Sequence, residues 1–221
     1  MCPFRRILFP AIGFVGLAWI SSDVLAQSTA DSGTNLWPFQ VGNSWTFQTP
    51  NKDKVVTTVV TVTGVVAGKD SSRATVEYRS GSSPLEIETY KSNALEITRL
   101  TSGPNGRSKI YPGLPIVHYP LMAGSTWYWN GTITTNGKRA EAAAKMTASG
   151  PEPVTEPAGK FQAFKVHMDL VFQVGQRKIT IPNDYWFAPG VGLVRRSATV
   201  GNTTVVSSLM QYKLPQAAPH P

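Results

Sequence analysis

The sequence holds one cysteine, Cys2, in 221 residues. It lies ahead of the first apolar run, so it cannot be the lipidated residue left behind at a cleavage site. Everything downstream lacks a thiol. Disulfides, Cys-based metal sites and Cys nucleophiles are therefore excluded, and stability has to come from an ordinary core. Histidines number three, His118, His167 and His220. His167 and Asp169 share a strand face, but two donors without a third do not make a metal centre. No cofactor is expected. Gly190-Val191-Gly192 has no βαβ unit around it, and the glycines of 103–109 depart from the phosphate-loop pattern. No serine sits in a Gly-x-Ser-x-Gly elbow, so a hydrolase reading has no nucleophile, and no catalytic residue is assigned.

Acidic residues are scarce as well, 13 Asp+Glu against 21 Lys+Arg. Without Arg5, Arg6 and Asp23 of the N-terminal segment these become 19 basic and 12 acidic. The positive charges are scattered. Their adjacent pairs are Lys138-Arg139, Arg177-Lys178 and Arg195-Arg196. A nucleic-acid binder gathers its charge in a stripe or motif, and none is visible, so no nucleic-acid partner is expected. The composition fits a basic exported protein. Its sharper form is attraction to anionic envelope surfaces.

What is present begins with an export signal. Arg5 and Arg6 precede the apolar run Ile7 to Ile20, and Val24-Leu25-Ala26 supplies small residues at −3 and −1. The run falls short of the roughly 20 apolar residues a spanning helix needs and contains Pro10, Gly13 and Gly16. The expectation is a signal peptide over 1–26, a flexible leader over 27–35, and no transmembrane span after cleavage. A periplasmic or secreted location follows.

From residue 36 to 214 the pattern is β. Lys54 to Thr63 is dense in β-branched residues. Ala74 to Arg79, Leu85 to Lys91 and Phe164 to Leu170 alternate apolar and polar. Asn105-Gly106, Asn130-Gly131 and Asn136-Gly137 supply turn chemistry between such runs. A motif, Pro-apolar-x-x-Gly-x-x-Trp-x-aromatic, occurs twice. The copies are Pro38 to Phe47 and Pro120 to Trp129, 82 residues apart. This echo predicts two repeats, 36–117 and 118–214, within a single β domain, followed by a disordered tail over 215–221. It also decides one ambiguous segment. Arg139 to Met146 contains Glu-Ala-Ala-Ala-Lys and favours helix by propensity. The repeat lays it over the β-branched run, and Ala140, Ala142, Ala144 and Met146 fall on one side, so a strand is predicted.

Three stretches resemble a family of exported bacterial β-proteins of unknown function, similar in fold to the LolA/LolB-type lipoprotein carriers. They are Trp37-Pro38-Phe39 with Val41 to Phe47, Pro157 to Phe161, and Trp186 to Val194. The resemblance implies an all-β fold, a strongly curved antiparallel sheet forming an open or half barrel. Its concave face would hold apolar material. It carries over no catalytic residue, and the helices that cover the face in LolA-type carriers have no counterpart here.

The functional expectation is a non-enzymatic binding module for an apolar or amphiphilic partner such as a lipid or lipoprotein. The alternatives are a structural or protein-interaction module of the envelope and, more weakly, a glycan-active enzyme. Trp45 and Phe47 share one strand face, and Trp127 and Trp129 share the equivalent face in the second half. With Trp186 these form the candidate ligand-binding set. The competing role is that they fill the core, which the burial habits of large aromatics favour. For the enzyme alternative the available carboxylates are Glu86 and Glu88, on a polar strand face, and Asp184.

Overall fold

A computed structural model describes residues 35–215 apart from 52, 53 and 175. The expected signal peptide, nearly all of the leader and nearly all of the tail lie outside the described residues. Twelve strands follow in order. They are β1 (Ser44–Asn51), β2 (Lys54–Ala67), β3 (Ser72–Ser80), β4 (Ser83–Ser92), β5 (Glu96–Ser102) and β6 (Ser108–His118). Then come β7 (Thr126–Thr135), β8 (Lys138–Glu156), β9 (Gly159–Val174), β10 (Arg177–Ala188), β11 (Gly192–Val200) and β12 (Thr203–Lys213). A short 3-10 turn, Pro104–Gly106, joins β5 to β6.

Each strand pairs antiparallel with its neighbours in sequence, and β1 also pairs with β12. The curved sheet read from the sequence is therefore closed rather than open. Ser44 faces Lys213 and Trp45 faces Tyr212 across the seam. Closure gives the two outermost strands partners for their backbone groups, and no bare edge is left to recruit another chain.

The segment with the helix-like composition is strand β8. Ala142, Ala144, Met146 and Ala148 point inward and are buried, while Glu141, Lys145 and Ser149 are exposed. Small residues belong on this strand because its partners are large. Ala144 lies opposite Trp129 on β7 and Leu170 on β9, and Ala142 lies opposite Phe172. Gly131 serves the same end: a Cβ there would come within 2.4 Å of the Trp129 ring and 2.6 Å of the Tyr111 carbonyl. Gly131→Ala is expected to lower stability by about 1–3 kcal/mol through overpacking, read as a shift of the denaturant midpoint.

The interior is apolar and the outer face polar, the reverse of a membrane-spanning barrel. Among the described residues no helix is long and apolar enough to cross a membrane. A barrel of twelve strands is wider than the eight that side chains just fill. This one is filled by Trp45, Trp127, Trp129, Tyr185 and Phe187, and by a segment that precedes β1. Leu36 and Trp37 of that segment are buried. The Trp37 ring meets Trp45, Tyr90 and Phe187 at centroid distances of 6.3, 5.0 and 5.8 Å. Gly190 donates its N–H to the Asn35 carbonyl at 2.9 Å, which ties the segment to the β10–β11 turn.

An up-and-down barrel sorts its turns by parity. The β1–β2, β3–β4, β5–β6, β7–β8, β9–β10 and β11–β12 turns lie at one end. The other turns and the Leu36–Phe39 plug lie at the opposite end. The plug packs into the core at that end, and the cavity lined by Phe47, Leu85 and Arg196 lies toward the hairpin end.

Candidate ligand site at the barrel mouth

Inside the hairpin end lies a cavity of about 250 Å³. Strands β11, β12, β1, β2, β3 and β4, which are contiguous around the barrel, supply its walls. Phe47, Val60 and Leu193 are the buried apolar lining. Leu85 and Val205 line it nearer solvent, 43% and 38% exposed. Its polar groups are Tyr78, Glu86 and Arg196, with the hydroxyls of Thr49, Thr58 and Ser207. The volume sits at the lower edge of ligand pockets, roughly 300–1,000 Å³, and barrel mouths are a recurrent place for them.

Below the cavity is a buried charged network. Glu88 is 1% exposed. Its Oε2 accepts the Tyr78 hydroxyl at 2.5 Å and the Tyr90 hydroxyl, and its Oε1 accepts Arg99 Nη1 at 2.8 Å. Burial alone would raise the Glu88 pKa, but the Arg99 and Arg196 guanidinium groups and the two tyrosines lower it. Glu88 is thus held ionised. Burial, and then Glu88, push the Glu86 pKa up against the N–H that Gly103 donates to it at 2.7 Å. Glu86 is biased toward its neutral form.

Arg196 is the cation left over. Burial would favour its neutral form, but Tyr185, Tyr78 and Glu88 outweigh that and raise its pKa, so it stays charged. Its guanidinium lies 5.9 Å from the Tyr185 ring centroid. The neighbouring arginines Arg99 and Arg195 have carboxylate partners in Glu88 and Glu156. No ion pair of that kind engages Arg196 among the described residues. The site therefore offers apolar walls and one half-buried guanidinium with no ion-pair partner among the described residues, which suits a single anionic head group on an apolar body.

The structure divides the five aromatic residues expected at the site. Phe47 lines the cavity. Trp45 is 1% exposed and donates its indole N–H to the Val191 carbonyl at 2.7 Å. Trp127 and Trp129 are buried, with indole N–H groups on the Pro115 and Pro112 carbonyls at 3.0 and 2.9 Å. These three are core residues with satisfied donors. Trp186 lies on the opposite face of β10 from the buried Tyr185 and Phe187. It sits between Lys165 and Arg195, 5.0 and 5.5 Å from the ring centroid, and donates to Glu152 Oε1 at 2.6 Å.

The polar face of β4 was expected to meet solvent. Instead Glu88 and Tyr90 point inward, and Leu85 is the exposed residue. The reason is the partner strands: Tyr78 on β3 and Arg99 on β5 complete the polar set that Glu88 requires. Asp184 faces outward. It meets His167 Nδ1 at 2.8 Å, Lys165 Nζ at 3.1 Å and the Ser197 hydroxyl at 3.2 Å. Burial raises its pKa less than the His167 and Lys165 hydrogen bonds lower it. The other His167 nitrogen faces Asp169 at 3.3 Å. Among the described residues no group of three or more His, Cys, Asp or Glu side chains is arranged to hold a metal ion.

Arg196, Tyr78 and Leu193 escaped sequence reasoning as site residues. The signal for Arg196 was in the sequence as the pair Arg195-Arg196. Only the bulge between Trp186 and Phe187 reveals which member turns inward, since it resets the register so that Arg196 faces Tyr185.

Comparison with known proteins supports the fold. A sequence profile of the DUF3108-like family matches residues 131–210, from within β7 to within β12. No curated protein matches the chain. Two crystal structures are similar in fold. One is a Bacteroides fragilis protein assigned as exported, with a YmcC-like fold, at 16% identity and a TM-score of 0.57. The match covers 80% of this chain and 98% of that one. The other is a Parabacteroides distasonis protein assigned as a lipoprotein, at 17% identity and a TM-score of 0.58. It covers 82% of this chain and 99% of that one.

Proposed function

We propose that the protein is a non-enzymatic exported binding protein. It holds a small anionic amphiphile in the barrel mouth, with the acidic head on Arg196 and the apolar part against Phe47, Val60, Leu193 and Val205. The observation that carries this reading is the combination at one cavity of apolar walls and a charged guanidinium without a carboxylate partner. The cavity of about 250 Å³ suits a short chain better than the several acyl chains of a whole lipoprotein. The export pattern in residues 1–26 supports the location, as do the two fold neighbours, whose names include the words exported protein and lipoprotein. Likeness to LolA/LolB-type carriers, implied by the three sequence motifs, points toward apolar cargo in a curved sheet. A glycan-active enzyme is less well supported, because both Glu88 oxygens are already taken by Tyr78, Tyr90 and Arg99.

Calorimetric titration with octanoate, octylammonium and octanol tests the reading. Octanoate is expected to bind best, and Arg196→Met to weaken it by at least about tenfold, the loss of one charge-assisted contact. Equal binding of all three compounds, or an Arg196→Met variant that binds octanoate as the wild type does, refutes the site.

Two copies of a six-strand unit, 36–117 and 118–214, account for the architecture in this proposal. Gly42 (φ 88°) and Gly124 (φ 84°) adopt the same left-handed turn before the tryptophan strands. Gly42 N–H bonds the Val62 carbonyl at 2.9 Å, as Gly124 N–H bonds the Ala148 carbonyl at 2.8 Å. Val62 N–H in turn bonds the Asn43 carbonyl at 3.0 Å, as Ala148 N–H bonds the Ser125 carbonyl at 2.8 Å.

A further inference from the structure

The charges that look scattered along the sequence are distributed unevenly by the fold. The hairpin end carries exposed Lys54, Arg107, Lys109, Lys138, Arg139, Arg177 and Lys178. Of the exposed carboxylates described near those tips, Glu141 is already engaged by Arg139 at 3.1 Å. Of the three basic pairs that follow the N-terminal segment, two, Lys138-Arg139 and Arg177-Lys178, stand at hairpin tips. Counted the same way, strand ends included, the opposite end carries fewer exposed basic residues, Lys69, Arg73, Lys160 and Lys213, with Asp70 beside Lys69.

Apolar side chains stand in water at both ends, Val41, Val66, Leu95 and Met122 at the plugged end and others at the hairpin tips. Val55, Ile179 and Val200 flank three of the tips at 59%, 47% and 65% exposure, and Leu85 and Val206 stand beside them. They belong to the β1–β2, β3–β4, β9–β10 and β11–β12 hairpins, which are consecutive around the barrel. An arc of apolar groups, with cations on two of its hairpins and on the two hairpins beside it, is a poor surface to leave in solvent. It matches the two terms that hold proteins at a bilayer interface, Coulomb attraction to anionic headgroups and shallow apolar insertion.

We propose that the hairpin end is a docking face for an anionic phospholipid bilayer, with Lys138, Arg139, Arg177 and Lys178 on the headgroups and Ile179 and Val200 in the interface. This orientation aims the cavity mouth at the membrane. The docking stands on surface groups alone and does not depend on the occupancy of the cavity.

Sedimentation with vesicles tests it, using the exported, leader-free protein purified from its host. Phosphatidylcholine vesicles with about one third phosphatidylglycerol are expected to bind it, and pure phosphatidylcholine vesicles not to. High salt should release it, because the attraction is screened. At about fivefold per charge, K138E/R139E/R177E/K178E is expected to weaken binding by more than about a hundredfold. K69E/K160E, at the plugged end, should change it little. A tryptophan reporter, Val200→Trp, should shift its emission to the blue on vesicles, while Leu95→Trp at the plugged end should not. Arg196→Met should leave vesicle binding unchanged even if it abolishes octanoate binding, so the two proposals fail separately. The docking face is refuted by equal loss in the two charge variants, by equal binding to neutral vesicles, by a blue shift only at Leu95→Trp, or by binding to a soluble acidic polysaccharide with none to vesicles.

Discussion

Glu88→Leu is expected to destabilise the barrel by about 3–5 kcal/mol, measured as the shift in the free energy of unfolding at neutral pH. Glu88 is the shared acceptor for Tyr78, Tyr90 and Arg99. Removing it leaves two buried hydroxyls and a buried guanidinium whose Nε already lacks a partner. The penalty is that of an orphaned charge, not the net worth of the pair. A double variant, Glu88→Leu with Arg99→Met, should therefore recover much of the loss. A double variant as unstable as the single one would show that packing, not charge, dominates there.

The pH dependence follows from the direction of the shift. Arg99, Arg196 and the tyrosines lower the folded-state Glu88 pKa despite its burial. Its contribution is then present above the unfolded carboxylate pKa and is lost as pH falls through the lower folded value. Glu86 works the other way. Its raised pKa, caused by burial and then by Glu88, contributes at low pH and is lost as pH rises through the folded value. The wild type should lose stability on the acid side more steeply than Glu88→Leu does. Parallel acid profiles would contradict the assignment.

Trp45→Ala is the second large effect, expected at about 3–5 kcal/mol. The ring is 1% exposed, packs against Trp37 and anchors the β10–β11 turn through the Val191 carbonyl. Gly192 lets that turn approach, since a Cβ there would lie 2.9 Å from Trp37 and 3.2 Å from Trp45. Trp186→Ala, on the polar outer face, should cost about 1 kcal/mol, the scale of its cation–π contacts. Chemical denaturation of the two variants side by side checks the ranking. If Trp186→Ala were the more damaging, Trp45 would not be the core anchor described here.

Much of the fold was legible because burial imposes a period of two. Alternation in β8 overrode a helix-forming composition, and the large residues opposite Ala142 and Ala144 explain why alanine was chosen there. Closure was not legible. The pairing of β1 with β12 depends on partners far apart in the chain, and no local pattern encodes it. The inward direction of Glu88 was hidden for the same reason: its polarity argued for solvent, and its three partners lie on β3, β4 and β5. The tryptophans were the visible feature, and Trp45, Trp127 and Trp129 are buried, as the burial habits of large aromatics favoured. Trp37 lay within the stretch read as β, but it precedes the first strand and serves as part of the plug. The basic tips were unreadable as a surface, since antiparallel topology gathers residues separated by about thirty positions or more onto one end.

The mouth cavity is the central claim, and contacts of a bound ligand test it most directly. With carbon-labelled octanoate, intermolecular NOEs are expected to Phe47, Leu193 and Val205, with a shift of the Arg196 guanidinium resonances. NOEs to Trp127 and Trp129 with an unmoved Arg196 would contradict the account and return the aromatic strands to the role the sequence first suggested.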